Sequence, residues 1–148
     1  MTTFSAVNQF HSYLVLAACS DKSLRVVDLN IGAVAQVIPR IHSHKIHKVL
    51  QVSSVSGGLE GLEPGCGGSL YNLFATGALS DGIKLWDLRQ MRARGSRDPL
   101  CVQRFDWPGS DGGRLAPGFD LSPCLKFLSV ASEDGFCYVF DTRKPGII

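Results

Sequence analysis

The sequence predicts an all-β chain built from about three copies of one four-stranded unit, and three observations carry that reading. The first is the stretch SDGIKLWDLR, Ser80 to Arg89, where an Asp-Gly turn leads into an apolar run ending on Trp86 and Asp87. Asp and Gly both tolerate the positive φ of tight hairpin turns, while Ile, Leu and Trp suit a pleated, half-buried surface. The second is recurrence. In SDKSLRVVDL (20–29) and EDGFCYVFDT (133–142) a turn Asp, Asp21 or Asp134, is followed six residues later by Val27 or Phe140, then by Asp28 or Asp141. The third is a strand-like apolar run before each turn, at 13–19, 73–78 and 127–132. The closing carboxylates Asp28, Asp87 and Asp141 lie 59 and 54 residues apart. Four strands recurring at roughly 40–50 residues mark a propeller blade, and the longer spacing requires insertions.

The turn Asp, the strand-like run and the closing Trp-Asp, after a preceding strand, resemble the WD-repeat family, and the resemblance covers nearly the whole chain. It implies a partial WD-repeat β-propeller, with repeats at about 1–29, 32–88 and 99–142. In that family each repeat is an outer strand of one blade followed by three inner strands of the next. On this plan the first blade uses strands near 13–19, 24–29 and 33–38, without a convincing opening strand. The second uses 46–52, 71–78, 83–88 and 100–105. The third uses 118–121, 127–132 and 136–141, without an outer strand. The Gly-rich segment 53–70 and the segment 106–117 read as insertion loops. A phosphate loop needs Gly-Lys-Ser/Thr, whereas 57–69 holds no Lys and two Glu, so nucleotide binding is excluded there.

Composition bounds the function. The 148 residues are 45% hydrophobic and 19% charged, with a net charge of +2, enough for one domain with a core. A propeller needs at least four blades of about 40 residues each, so about three cannot close a ring. The expectation is therefore a fragment of a longer propeller, with the remaining blades among its partners. The five cysteines, Cys19, Cys66, Cys101, Cys124 and Cys137, form no CxxC and leave one unpaired. A reduced, intracellular protein, cytoplasmic or nuclear, is the corresponding expectation. No apolar run approaches the roughly 18 residues of a membrane helix. Leu16-Ala17-Ala18-Cys19 mimics the end of a lipoprotein signal, but no Lys or Arg precedes Lys22.

The resemblance also implies a structural hydrogen-bond chain in the second blade, from Trp86 through the Thr76 hydroxyl to a loop His and a turn Asp. A buried indole N–H and an imidazole both need partners. His42 is preferred over His44 because Ile46 and Val49 then follow at four and seven residues. The position six before Trp86 is Ser80, with Asp81 displaced by one, which leaves the Asp-to-His link open. In the first and third blades Val27 with Ala17, and Phe140 with Val130, replace the Trp and hydroxyl, leaving only Asp21 and Asp134. Those blades depend on apolar packing.

Other chemistries find less support. His42, His44 and His47 could suggest a metal, but zinc normally takes four ligands and no second cluster completes a set. Arg89, Arg92, Arg94 and Arg97 suggest a nucleic-acid-binding module, yet the net charge is small and no aromatics are interleaved for stacking. No nucleophile stands in a catalytic context. The expected function is thus a non-catalytic protein-interaction scaffold without cofactor or metal. Its contacts to protein or peptide partners lie on the loops at 53–70, 89–99 and 106–117. Trp107, Arg92 and Arg94 are the candidate anchors. The alternatives are a fragment with no independent function, or nucleic-acid binding through 89–97.

Overall fold

The computed structural model describes residues 3–6, 13–51, 73–91, 101–122, 125–144 and 146–148. Three antiparallel sheets follow one another along the chain. The first has β1 (Thr3–Ala6), β2 (Leu14–Ala18), β3 (Leu24–Asp28) and β4 (Ala33–Ile38), in that spatial order. The second has β5 (Ile46–Gln51), β6 (Leu73–Ala78), β7 (Ile83–Asp87) and β8 (Cys101–Phe105). The third has β9 (Gly118–Leu121), β10 (Phe127–Ala131) and β11 (Cys137–Asp141). A single helical turn, α1 (Leu88–Met91), follows β7. The molecule is all-β, and its three sheets are blades of a partial propeller.

The opening strand that the sequence does not signal is β1. TFSA is short and mixed, but it pairs in register with β2, Phe4 opposite Ala17 and Ser5 opposite Leu16. Among the described residues β11 has no full outer neighbour in the third sheet. Ile147 makes one antiparallel bridge to Phe140, and the Ile148 N–H donates to the Val139 carbonyl at 2.8 Å.

Strand alternation sorts side chains between two faces, and the register makes the three blades equivalent. Asp28, Asp87 and Asp141 face Leu14, Leu73 and Phe127 across the central hairpins. In the first two sheets the outer pairing slips at the same place, between Val26 and Val27 and between Leu85 and Trp86. A bulge there adds twist just before the closing Asp.

Apolar faces stack the blades. Leu16, Leu24, Val26 and Ile38 of the first sheet pack on Val49, Phe74 and Trp86 of the second. Ala75, Ile83, Leu85 and Phe105 of the second pack on Phe119, Leu128, Val130 and Phe140 of the third. Each large buried side chain contributes roughly 1.5–3 kcal/mol relative to exposure. Along the inner edge β5 lies against both β1 and β2. His47 Nε2 reaches the Pro117 carbonyl at 2.9 Å and Lys48 Nζ donates to the Phe119 carbonyl at 2.5 Å, tying the second blade to the third.

Candidate functional site

Each central hairpin ends in a four-residue turn whose polar side chains organise one end of the molecule. In the first blade, Asp21 Oδ1 accepts from the Ser23 N–H at 3.1 Å and from Ser23 Oγ at 2.6 Å. In the third, Asp134 Oδ1 accepts from the Phe136 N–H at 3.0 Å and Oδ2 from the Tyr138 hydroxyl at 2.7 Å. The left-handed residue in these turns follows the Asp: Lys22 at φ 70° and Gly135 at φ 86°.

The second turn is built differently. Ser80 and Gly82, on either side of Asp81, take φ 55° and 65°. Between them the Asp81 carboxylate is buried and meets the loop that enters the blade. Trp86 Nε1–H donates to Thr76 Oγ1 at 2.7 Å, and Thr76 Oγ1 lies 2.7 Å from His42 Nε2. His42 Nδ1 lies 2.7 Å from Asp81 Oδ2. One hydroxyl cannot accept from two donors here and leave a neutral imidazole satisfied. The consistent pattern is Thr76 donating to Nε2 and Nδ1–H donating to Asp81. All four residues are buried, and the His42 ring meets the Trp86 indole edge-on.

Electrostatics favour that tautomer. Burial and the nearby Lys84 ammonium push the His42 pKa down to about 4, so the ring is neutral at physiological pH. Burial disfavours ionised Asp81, but bonds from Lys84 (2.9 Å), the Ser43 N–H (3.0 Å) and His42 outweigh it and hold the carboxyl below its ordinary value. Ser80, the other turn residue considered, instead donates through Oγ to the Gly113 carbonyl at 3.4 Å. The displaced Asp81 therefore reaches His42, because paired left-handed residues on both sides absorb the extra position.

His44 and His47 do other things: His44 lies 3.2 Å from Ser43 Oγ, and His47 bonds Pro117. Among the described residues no group of three His, Cys, Asp or Glu converges as a metal site would.

Trp107 is not where its loop position placed it. It is only 7% exposed, packs with Phe105 and Phe119, and donates Nε1–H to Ser132 Oγ at 3.1 Å. A partner cannot reach it, since the loop folds the indole into the space between blades. It also does in the third blade what His42 does in the second, tying the incoming loop to the hairpin turn. The Leu115 N–H, donating to Glu133, adds a second tie between the same segments.

The closing Asp residues anchor the opposite end. Asp28 Oδ1 accepts from the Asn30 N–H at 2.9 Å. Asp87 and Asp141 accept from the backbone two residues on, and each also holds an arginine, Arg89 at 2.7 Å and Arg143 at 2.8 Å. The Arg143 guanidinium brings the Asp141 pKa down to about 2. Asp-x-Arg occurs twice at equivalent positions, a signal the sequence carries and reasoning from turns alone passes over. Arg92, Arg94, Arg97 and the loop 53–70 lie outside the described residues.

The fold and these turns define the class: an all-β repeat protein whose blades are locked by polar turns. No protein-family model matches the chain. Over 72 residues, 48% of its length, it is 29% identical to Denticleless protein homolog A of Xenopus laevis, a WD-repeat protein. The matched stretch spans 10% of that protein. Among the described residues no helix is long and apolar enough to cross a membrane.

Proposed function

We propose that this chain is a non-catalytic interaction module, a set of WD-type blades that presents loops to protein partners. The observation that carries the reading is the buried Asp81–His42–Thr76–Trp86 chain. It is a set of buried polar groups satisfied by one another and by Lys84 and the Ser43 N–H, and it fixes a loop to a sheet. Loops held on a rigid frame are where binding residues concentrate. The segment 106–117, pinned through Trp107 while Leu115 stays 69% exposed, is the best-supported contact loop. Its Asp106 and Asp111, with Arg104 just before it, form an exposed ion-paired cluster that gives the surface polar features to read.

A photo-crosslinking side chain at Leu115 tests this in cells, with the outer-strand position Val102 as control. Discrete protein adducts at Leu115, absent at Val102 and resistant to nuclease, are expected. Adducts lost on nuclease treatment, with RNA binding that weakens steeply with salt, would replace the scaffold by the nucleic-acid reading. No adduct at Leu115 would remove this loop from the reading.

A further inference from the structure

The loop 106–117 does not fill all of the space between the second and third blades. A cavity of about 20 Å³ remains beside it, bordered by Ala78 of β6, by Trp107, Ser110, Leu115 and Pro117 of the loop, and by Glu133 of the third hairpin turn. The donors around it are already committed. The Trp107 Nε1–H goes to Ser132, the Ser110 N–H to the Trp107 carbonyl at 2.9 Å, and the Ser80 hydroxyl to the Gly113 carbonyl.

What remains free is accepting capacity. Three oxygens converge where Gly113 carries no side chain. The position that a Cβ would take there lies 3.4 Å from Glu133 Oε1, 3.7 Å from the Gly109 carbonyl oxygen and 3.8 Å from the Leu115 carbonyl oxygen. Glu133 Oε1 accepts from the Leu115 N–H, and among the described residues the carboxylate forms no ion pair. Arg104 is committed to Asp106 and Asp111. Ser110 is only 7% exposed, yet its hydroxyl has no hydrogen-bond partner among the described residues. A buried hydroxyl is costly to leave unsatisfied. A carboxylate without a counter-charge and a stranded hydroxyl on one cavity together call for a compact, positively charged donor.

We infer that this cavity takes the side-chain ammonium of a lysine from a protein partner, an assignment that rests on the interaction-module reading. Size and donor count select lysine. A cavity of this volume admits one water-sized group. An ammonium has that size and carries three donors, whereas a guanidinium is a broad planar fork that meets a carboxylate side-on. The three N–H groups are matched by Glu133, the Ser110 hydroxyl and a loop carbonyl. The methylene stem lies on the apolar rim, where Leu115 is 69% exposed beside Pro117. Lysine stems cover apolar surface in this way while the charged head stays bonded.

Proton–nitrogen NMR of the chain, titrated with acetyl-Gly-Gly-Lys-Gly-Gly-amide, tests the site. The Trp107 indole and the Ser110 and Leu115 amides are expected to shift. Peptides with arginine, norleucine or trimethyl-lysine at the central position should bind about tenfold more weakly or worse, since each lacks the compactness, the charge or the donors. Glu133→Gln should cost about tenfold, and Ser110→Ala, which breaks no bond of the free protein, somewhat less. Gly113→Ala adds a methyl that meets only ordinary contacts, so the fold should survive, but it stands among the three oxygens and should abolish the shifts. Should Glu133→Gln melt early, Gly113→Ala decides. No shift with the lysine peptide, equal binding of the arginine or norleucine peptide, or undiminished binding by Gly113→Ala would each overturn the inference. The Leu115 photo-crosslink separates it from the reading beneath it. Protein adducts that persist at full strength in Gly113→Ala would keep the contact loop and overturn the lysine. A lysine peptide that binds while Leu115 yields no adduct would support the ammonium site and remove the loop from the interaction reading.

Discussion

Trp86 and Trp107 are the two indoles of the chain, and each is buried with its N–H on a hydroxyl, Thr76 or Ser132. Truncating either opens a large cavity and strands a hydroxyl. Trp86→Ala should lower stability by about 3–5 kcal/mol, and Trp107→Ala should come close to it rather than being neutral. Urea melts decide, and an unchanged midpoint for Trp107→Ala would mean the loop does not pack as described. His42 adds a pH signature. Its folded pKa, about 4, lies below the ordinary 6.5, so the unfolded chain binds the extra proton between those values. The resulting stability is fully present above pH 6.5 and is lost as pH falls toward 4, by on the order of 2–3 kcal/mol. His47, lowered chiefly by burial, and Asp81 act in the same direction, Asp81 at more acid pH. Melts from pH 7.5 to 4.5 should fall steadily, and His42→Gln should flatten much of that slope. An unchanged slope would remove His42 as the titrating group.

At the scale of elements, the second hairpin turn depends on Gly82. At φ 65°, a Cβ there would lie 2.7 Å from the Phe105 carbonyl oxygen and 2.6 Å from Asp106 Oδ1. The backbone oxygen cannot swing away as a side chain can. Gly82→Ala should cost about 1–3 kcal/mol through the left-handed conformation, with the clash in addition. The Asp81–His42 contact should loosen with it, visible as a His42 ring resonance that begins to titrate nearer its ordinary value. A variant as stable as wild type would place the strain elsewhere. Arg89→Ala and Arg143→Ala should change stability by less than about 1 kcal/mol, because both guanidinium groups are mostly exposed.

For the whole molecule, the middle blade is covered on both sides while each terminal blade is covered on one. Repeat arrays draw much of their stability from such neighbour interfaces. Amide exchange should therefore be slowest in β6 and β7 and faster in β3 and β11. Uniform protection would mean that the three blades open as one unit, with no gradient from middle to ends.

Much of this was legible in the residues themselves. The strand positions of β2 to β11 follow from short apolar runs punctuated by Asp-Gly-type turns, because strand alternation and turn chemistry are local properties. The Trp86, Thr76 and His42 positions were legible too, through the pattern they share with WD repeats. Local pattern could not assign β1, since TFSA becomes a strand only by pairing with β2. It could not choose between Ser80 and Asp81, because the choice lies in two left-handed φ angles and a loop 39 residues away. Nor could it bury Trp107, whose neighbours Asp106 and Pro108 read as surface loop. Burial is a property of what the folded chain brings alongside: here Phe105, Phe119 and the Ser132 hydroxyl, 25 residues further on, close over the indole.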